Sequence, residues 1–228
     1  MDGIQSKDVK MRRVFIAEFS RFNKEMRINC FDRVFDILIE MLGSDYLKTK
    51  ELEDKNFSKP LYLALQASIV SSFSSFIHIS SHISDEKAIQ LFETIEPLAV
   101  NGVWNVKTSA IRLALLMLNN LFVQRLENAV VIRSETFYDV VFTKTSNILD
   151  SSFSDLGSPS NRLLSLKIAQ FVLNNFVQES AFSSMRNSLN ELRNSLVKKS
   201  KNILNQGSED SDLAIKSESS RILMSLNK

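Results

Sequence analysis

The feature that most constrains the fold of this chain is its shortage of glycine and proline. Only 5 glycines and 3 prolines occur in 228 residues, whereas average usage would give roughly 16 and 11. Sheets and nucleotide-binding α/β folds need glycine at hairpins, bulges and phosphate loops, where the backbone takes a positive φ. The shortage therefore predicts an all-α fold without a glycine-rich phosphate loop.

Composition and charge narrow the functional classes. Hydrophobic residues make up 44% and charged residues 24%, which argues against wholesale disorder. The formal net charge of +2 is too small to indicate a nucleic-acid or anionic-membrane partner. No stretch reaches the roughly 18 apolar residues of a membrane span, and the N-terminus lacks a signal-peptide core. Since Cys30 is the single cysteine, we expect a reducing, cytoplasmic or nuclear location.

Apolar residues recur at intervals of three and four along most of the chain, which is the spacing of a buried helix face. The pattern predicts about eight to nine antiparallel helices in a single helical-repeat domain spanning residues 1–228. Clusters of polar residues, glycine and proline predict loops near 43–58, 151–161 and 206–212. The chain also fits the C-terminal part of a longer scaffold.

Three of these helices share a repeating pattern. Each has a basic residue near its start, and 55 residues separate Lys107 from Arg162 while 54 separate Arg162 from Lys216. A small residue follows three positions later, and we expect it to allow a partner helix to approach closely. The basic residue should pack its stem and keep its head in water. Such helices are typical inner members of stacked hairpins, and their charges would mark the edges of the buried face.

The stretches "NVKTSA" and "DLAIKSES" resemble the start of the inner helix in HEAT repeats, and "SNRLLS" is similar although the residue before its arginine is polar. The resemblance covers residues 86–228 and, more weakly, the first 85 residues. It implies a HEAT-like or armadillo-like α-solenoid. The stretch "NGVWNVKTSA" is also similar to the C-terminal region of a large proteasome-associated HEAT scaffold family, which implies the proteasome as a partner. A compact helical bundle is the alternative fold.

Two features are candidates for binding another protein. Trp104 stands at the turn before an inner helix, where we expect it to pack between repeats; anchoring a partner is the alternative. The second feature is a basic helix, which a solvated outer surface explains and which could otherwise bind an acidic protein or nucleic acid. No aromatic residues are interleaved there for base stacking, so nucleic acid is the weaker alternative. The basic residues are Arg186, Arg193, Lys198, Lys199 and Lys201.

Catalytic or metal chemistry has little support in the sequence. His78 and His82 share a helix face, but zinc needs further ligands that the pattern does not supply. Cys30 lies on an apolar stripe, and no activating base can be placed beside it. We therefore expect no catalytic residue, metal, cofactor or small-molecule substrate, and we predict a non-enzymatic protein-interaction scaffold or adaptor. The alternative is a compact bundle that serves as a regulatory subunit or binds a ligand or lipid.

Overall fold

The computed structural model describes residues 8–19, 21, 24–53, 57–77, 83–123, 133–177, 182 and 185–226. In this part of the chain the regular elements are helices and no strand is present, so the predicted all-α class is confirmed. The helices are α1 (Val9–Phe19), α2 (Lys24–Leu42), α3 (Ser44–Glu53), α4 (Lys59–Ile77), α5 (Asp85–Asn101), α6 (Trp104–Val123), α7 (Glu135–Phe153), α8 (Pro159–Phe176), α9 (Asn187–Ser208) and α10 (Leu213–Leu226).

Several helices begin where the sequence supplies a capping side chain. The Ser84 hydroxyl accepts a hydrogen bond from the backbone N–H of Lys87 at the start of α5. Ser134 and Ser158 cap α7 and α8 in the same way. Each serine satisfies one of the amide groups that have no partner in the first helical turn. Pro60 lies in the first turn of α4, where its missing N–H would have no helical partner.

The prediction of a loop near residues 43–58 is wrong for most of that range. Helix α3 occupies Ser44–Glu53 and brings the described helices to ten, beyond the eight or nine predicted. It escapes the hydrophobic pattern because most of its residues are polar or charged, and among its described side chains Tyr46 alone packs against the core. Ion pairs within the helix support it instead, such as Lys50 with Glu53 at 2.8 Å.

The other two predicted loops are shorter than expected. Helix α7 continues to Phe153 and α8 begins at Pro159, while α9 extends past Gly207. The sequence pattern places Gly207 in a loop, but it is buried within the helix. A Cβ there would lie 2.5 Å from the Ser219 hydroxyl of α10 and 3.3 Å from a methyl group of Leu166 in α8. Glycine therefore serves the close approach of three helices rather than a turn.

The helices pack in two layers. One layer, which we call the inner layer, contains α1, α4, α6, α8 and α10, each packed against the next in that order. The outer layer contains α2, α5, α7 and α9 in the same arrangement. Helices that follow each other in the chain pack across the two layers, as α5 does with α6, α7 with α8 and α9 with α10. From α5 onward each helix thus packs on the next helix in its own layer.

An aromatic cluster fills the space between the layers where α6, α7 and α8 meet. The Phe122 ring near the end of α6 lies 4.9 Å from the Phe176 ring of α8 and 5.9 Å from the Phe137 ring of α7, measured between centroids. Phe142 and Phe171 lie 5.2 and 5.7 Å from the Phe176 ring. All five side chains are buried. Edge-to-face contacts of this kind add to the burial of apolar area in holding the layers together.

Candidate protein-interaction site

Charge divides between the two layers. Helices α4, α6 and α8 of the inner layer contain no aspartate or glutamate. The outer helices α5 and α7 show the reverse, with four acidic side chains against one lysine in α5 and three against one in α7, whereas the outer helix α9 is basic. The small net charge of the chain therefore hides three inner helices without acidic residues beside two strongly acidic outer helices. The basic residues of the three inner helices are Lys59, Lys107, Arg112, Arg162 and Lys167.

Two of these cations, Arg112 and Lys167, are exposed at equivalent positions of α6 and α8. Each follows the first basic residue of its helix by five positions, so the same 55 residues separate them. The two residues on either side of each cation are buried, which makes each the one exposed side chain in a buried stretch. Arg221 holds the corresponding position in α10 and is also exposed. We refer to Arg112, Lys167 and Arg221 as the cation row.

Contacts between helix starts fix the register of the cation row. The Thr108 hydroxyl in the first turns of α6 donates a 2.7 Å hydrogen bond to the side-chain oxygen of Asn161 at the start of α8. Lys107 forms an ion pair of 3.2 Å with Asp155, which lies just before α8. The two helices also meet near their ends, where the Phe122 and Phe176 ring centroids lie 4.9 Å apart. They therefore run parallel, and Arg112 and Lys167, five residues beyond the first basic residues, hold equivalent positions on neighbouring helices.

The first basic residues of α6 and α8 are shielded from water, whereas Lys216, the first of α10, is exposed as expected. The side chains of Lys107 and Arg162 are 13% and 7% exposed, which corrects our expectation that their heads lie in solvent. Hydrogen bonds from Arg162 hold the pKa of Asp210, just before α10, below its usual value. The hydrogen bond from the Asn161 amide, assisted by Lys107 and opposed by partial burial, lowers the pKa of Asp155. Both aspartates are therefore charged at neutral pH and engage these two cations.

The members of the cation row differ in how free their charges are. Arg221 makes two hydrogen bonds of 2.8 Å with the Glu218 carboxylate. Those bonds are the main reason that the pKa of Glu218 is lowered, and the charge of Lys167 contributes less. Within the described part of the chain, neither Arg112 nor Lys167 forms an ion pair or a side-chain hydrogen bond. These two cations are the ones available to a partner.

The basic helix predicted as an interaction site is α9, and one of its candidate residues is buried. Arg193 is 3% exposed, which corrects the interpretation of this helix as a solvated row of cations. It belongs to the face that also buries Leu189 and Leu196. Its guanidinium lies 5.2 Å from the Phe182 ring centroid and donates to the side chain of Asn194 at 2.9 Å. Arg193 is thus part of the buried core beneath α9.

The other cations of this segment have different surroundings. Arg186 forms an ion pair with Glu135 of α7. Lys199 contacts a carboxylate and a hydroxyl group of α7, so its charge links the two outer helices. Lys198 and Lys201 are exposed. Lys198 and Lys199 line one open depression of about 350 Å³ together with Asp150. Binding of a partner by these cations stays a prediction.

Trp104 is the first residue of α6 and is 77% exposed, so the expectation that it packs between repeats is wrong. Val106, two residues later, takes the buried position instead, and the indole points away from the core. The neighbouring Val103 lines an open groove of about 540 Å³ between α2, α4, α5 and the start of α6. Apolar and uncharged polar side chains are mixed in its wall, together with Lys59 and Glu93.

The two histidines and the single cysteine were the remaining candidates for metal or catalytic chemistry. His78 and His82 lie outside the described residues, and so does the side chain of Cys30, although Cys30 belongs to α2. In the described ranges, no three His, Cys, Asp or Glu side chains come together in a way that could hold a metal ion. None of the helices described here combines the length and the apolar character that crossing a bilayer requires.

The HEAT-like motif lies at the starts of α6, α8 and α10. Its small residues, Ala110, Ser165 and Ser219, are fully buried, and the contact of Ser219 with α9 agrees with their expected role. Comparisons with family models, curated proteins and solved structures find no match to this chain. Membership of the HEAT or armadillo family stays a prediction from the sequence.

The cation row was absent from our sequence predictions although its signal is present there. The spacing that relates Lys107 to Arg162 also relates Arg112 to Lys167, and it continues to Arg221. Sequence alone assigns such charges to the edges of a buried face. Their importance emerges from the inner layer as a whole, because neighbouring helices bring equivalent positions together and supply almost no acidic side chains.

Proposed function

We propose that the chain is a stacked array of HEAT-like helical hairpins that acts as a non-enzymatic protein-interaction scaffold. The observation that carries this proposal is the repetition of polar contacts between successive hairpins. Lys107 pairs with Asp155, and Arg162 pairs with Asp210, across the same interval of 48 residues. A compact bundle has no reason to repeat a contact at fixed intervals, whereas stacked hairpins present equivalent surfaces to each other.

Ion pairs between helices of the outer layer support the same proposal, but there the acid and the base exchange places. Arg133, just before α7, pairs with Asp85 at the start of α5 at 2.7 Å, again 48 residues apart. Lys144 of α7 pairs with Glu96 of α5 at 3.5 Å over the same interval. In the outer layer the acid belongs to the earlier hairpin, and in the inner layer it belongs to the later one. Each hairpin is thus tied to its neighbours along both layers.

The mechanism of such a scaffold is the display of a rigid helical surface, whose curvature follows from the packing between hairpins. The partner would be another protein or a large complex in the cytoplasm or nucleus. The sequence resemblance favours the proteasome as that complex. No catalytic step is needed, because the exposed side chains of successive helices present a continuous surface.

A second candidate function is that of a compact regulatory or ligand-binding bundle. The open groove beside Val103 favours it, because about 540 Å³ is a volume that holds a small organic molecule. Its wall is mixed rather than apolar, since Gln66, Gln90 and Thr94 lie among its aliphatic residues. A lipid chain would find few continuous apolar contacts there, which is why we place this function second.

The experiment that separates the two functions is affinity capture of the tagged chain, followed by chemical cross-linking and mass spectrometry. We expect a stable protein partner whose cross-links map to exposed lysines of the chain, with the tag alone as the control. Thermal-shift screening against lipids and metabolites runs in parallel. Failure to recover any partner, together with saturable binding of a small molecule, would contradict the scaffold and support the bundle.

A further inference from the structure

We propose that the cation row binds an extended acidic segment of the partner protein, in which carboxylate side chains recur at every third residue. This inference rests on the proposed scaffold function and gives the docking surface and the chemistry of its partner. Arg112 of α6 and Lys167 of α8 are the two main contacts. Arg221 of α10 extends the row when the incoming carboxylate shares or displaces Glu218.

Charge complementarity is the first argument for an acidic partner. Arg112 and Lys167 are exposed on helices that contain no acidic residue. The preceding inner helix, α4, also lacks acidic residues and exposes small side chains, including Ala67 and Ser71, beside Arg13 of α1 in an open depression. A chain crossing α4, α6 and α8 would therefore meet basic and small side chains and no carboxylate of these three helices.

The unpaired state of the two cations is the second argument. The other basic residues near the starts of these helices, Lys107 and Arg162, are engaged by aspartates of the next hairpin. Arg112 and Lys167 have the same repeat spacing but form no ion pair within the described residues, although the charge of Lys167 acts on Glu218 of α10 without a direct contact. Contacts between stacked hairpins therefore account for Lys107 and Arg162. They leave Arg112 and Lys167 for a contact with another molecule.

Spacing gives the third argument and defines the partner more closely. Packed helices lie about 8–10 Å apart, so neighbouring members of the row are separated by roughly that distance. An extended chain advances about 3.3 Å per residue, and a polyproline II chain about 3.1 Å with three residues per turn. Three residues therefore span the gap, and in the polyproline II form every third side chain points to the same side.

The same geometry disfavours nucleic acid. Duplex DNA carries a phosphate every 3.4 Å or so along each strand, which is much denser than one cation per helix. Single-strand binding usually adds aromatic side chains on which bases stack. Trp104 is the one aromatic residue among the exposed large hydrophobic side chains of the described residues. It precedes Arg112 by eight residues, which is about 12 Å along the helix axis, so it does not flank the cations.

Half-buried leucine side chains beside the cation row can contact the apolar parts of a bound peptide. Leu115 follows Arg112 by less than one turn of α6, and Leu163 and Leu164 precede Lys167 by one turn of α8. These leucines are packed against the core but retain some exposed area. They can contact the methylene groups of glutamate or an intervening alanine or proline, while the cations bind the carboxylates.

Fluorescence anisotropy with labelled synthetic peptides tests the inference on the whole chain. The probe has glutamate at every third position of roughly 15 residues, with alanine and proline between, so that it favours the polyproline II form. A permuted peptide has the same composition with all glutamates adjacent. A glutamine version removes the charge, and a single-stranded oligonucleotide of similar length represents nucleic acid.

The variant to compare is the double substitution Arg112→Glu and Lys167→Glu. Its matched control is Lys198→Glu with Lys201→Glu, which makes the same charge change at two exposed positions of α9. Both variants should keep the helical circular dichroism and melting temperature, since all four side chains lie in solvent. The milder double substitution Arg112→Gln and Lys167→Gln serves as a second test should the charge reversal affect folding.

We expect the probe to bind the wild-type chain and to lose at least about tenfold in affinity with the Arg112 and Lys167 variant, because each exposed charge pair contributes up to about 1 kcal/mol and reversal replaces attraction with repulsion. The α9 control should change affinity by less than about threefold. Equal losses in both variants, equal binding of the permuted peptide, tighter binding of the oligonucleotide, or no binding of the probe would each overturn the inference.

Affinity capture repeated with the double variant distinguishes failure of the cation-row inference from failure of the scaffold proposal. Loss of the captured partner from the Arg112 and Lys167 variant, but not from the α9 control, would support the cation row as its docking site. Undiminished capture would leave the scaffold function standing and overturn the inference. If the wild-type chain captures no protein, the scaffold proposal itself fails, whatever the peptides do.

Discussion

Arg162 connects two hairpins through a single side chain. Its guanidinium pairs with Asp210, donates to the backbone carbonyl of Phe153 at 3.2 Å, and lies 5.1 Å from the centroid of the Phe153 ring. The side chain is 7% exposed. A cation in this position needs its acceptors, because removing one partner of a buried pair leaves a charge that water no longer solvates.

We predict that Asp210→Asn lowers the free energy of unfolding at pH 7 by about 3 kcal/mol, because Arg162 then lacks its counter-charge. The pKa of Asp210 is lowered in the folded chain by Arg162, so this stabilisation is present above the unfolded-state pKa near 4. It is lost as the pH falls through the lower, folded-state pKa. Urea unfolding at a series of pH values from 7 to 2 measures both effects.

Between pH 4 and 2 the variant should therefore lose less stability than the wild-type chain. Asp139→Asn removes an exposed carboxylate of α7 and serves as the control, with an expected change at pH 7 within about 0.5 kcal/mol. Parallel acid profiles for wild type and Asp210→Asn would show that the pair does not carry the pH dependence.

At the scale of helices, two contacts decide how the elements fit together. Gly207 lets α9 approach α8 and α10, and the Ser219 hydroxyl of α10 donates to the carbonyl of Leu204 in α9 at 2.8 Å. The aromatic cluster around Phe122 joins α6, α7 and α8. The first contact depends on the absence of a side chain, and the second on the bulk of several.

We predict that Phe122→Ala lowers the free energy of unfolding by about 3–5 kcal/mol, because it leaves a cavity among rings contributed by three helices. Phe122 is 4% exposed, so water has little access to the space that the ring would leave. Leu156→Ala removes a side chain that is 77% exposed, and we expect it to change stability by less than about 0.5 kcal/mol. Thermal and urea unfolding followed by circular dichroism compare the two, and similar values would contradict the assignment of Phe122 to a shared core.

On the scale of the whole molecule, the two layers differ in charge more than the composition suggests. The outer helices use their acidic residues partly in contacts with one another, as Glu135 does with Arg186 and Asp150 with Lys199. Helices α6 and α8 pair their first cations with aspartates from the loops. Arg112, Lys167 and Arg221 remain exposed on α6, α8 and α10, so the surface proposed for the partner depends on which cations the contacts between helices bury.

Small-angle scattering tests the stacked arrangement directly. Compact-domain scaling gives a radius of gyration of roughly 17 Å for 228 residues, and we predict a larger value because hairpins stacked in a row extend along one direction. The measurement needs a monomeric sample, which a concentration series establishes. A radius at or below the compact value would favour the helical bundle.

Much of the element list follows from the sequence. The shortage of glycine and proline excludes most sheet architectures, the three-and-four spacing places nine of the ten described helices, and serines such as Ser84 and Ser134 mark helix starts. These features act within a few residues of chain, so local sequence determines them. Helix α3 escapes prediction because its charged side chains support the helix without an apolar stripe.

Only the tertiary structure decided which charges meet another charge and which meet water. Arg193 and Arg112 both interrupt apolar patterns, yet the first is buried against Phe182 and the second is exposed. Trp104 is exposed at a turn where packing was expected. The physical reason is that burial of a side chain depends on the neighbouring helix, which lies about 50 residues away in the chain, whereas helix formation depends on the nearest few residues.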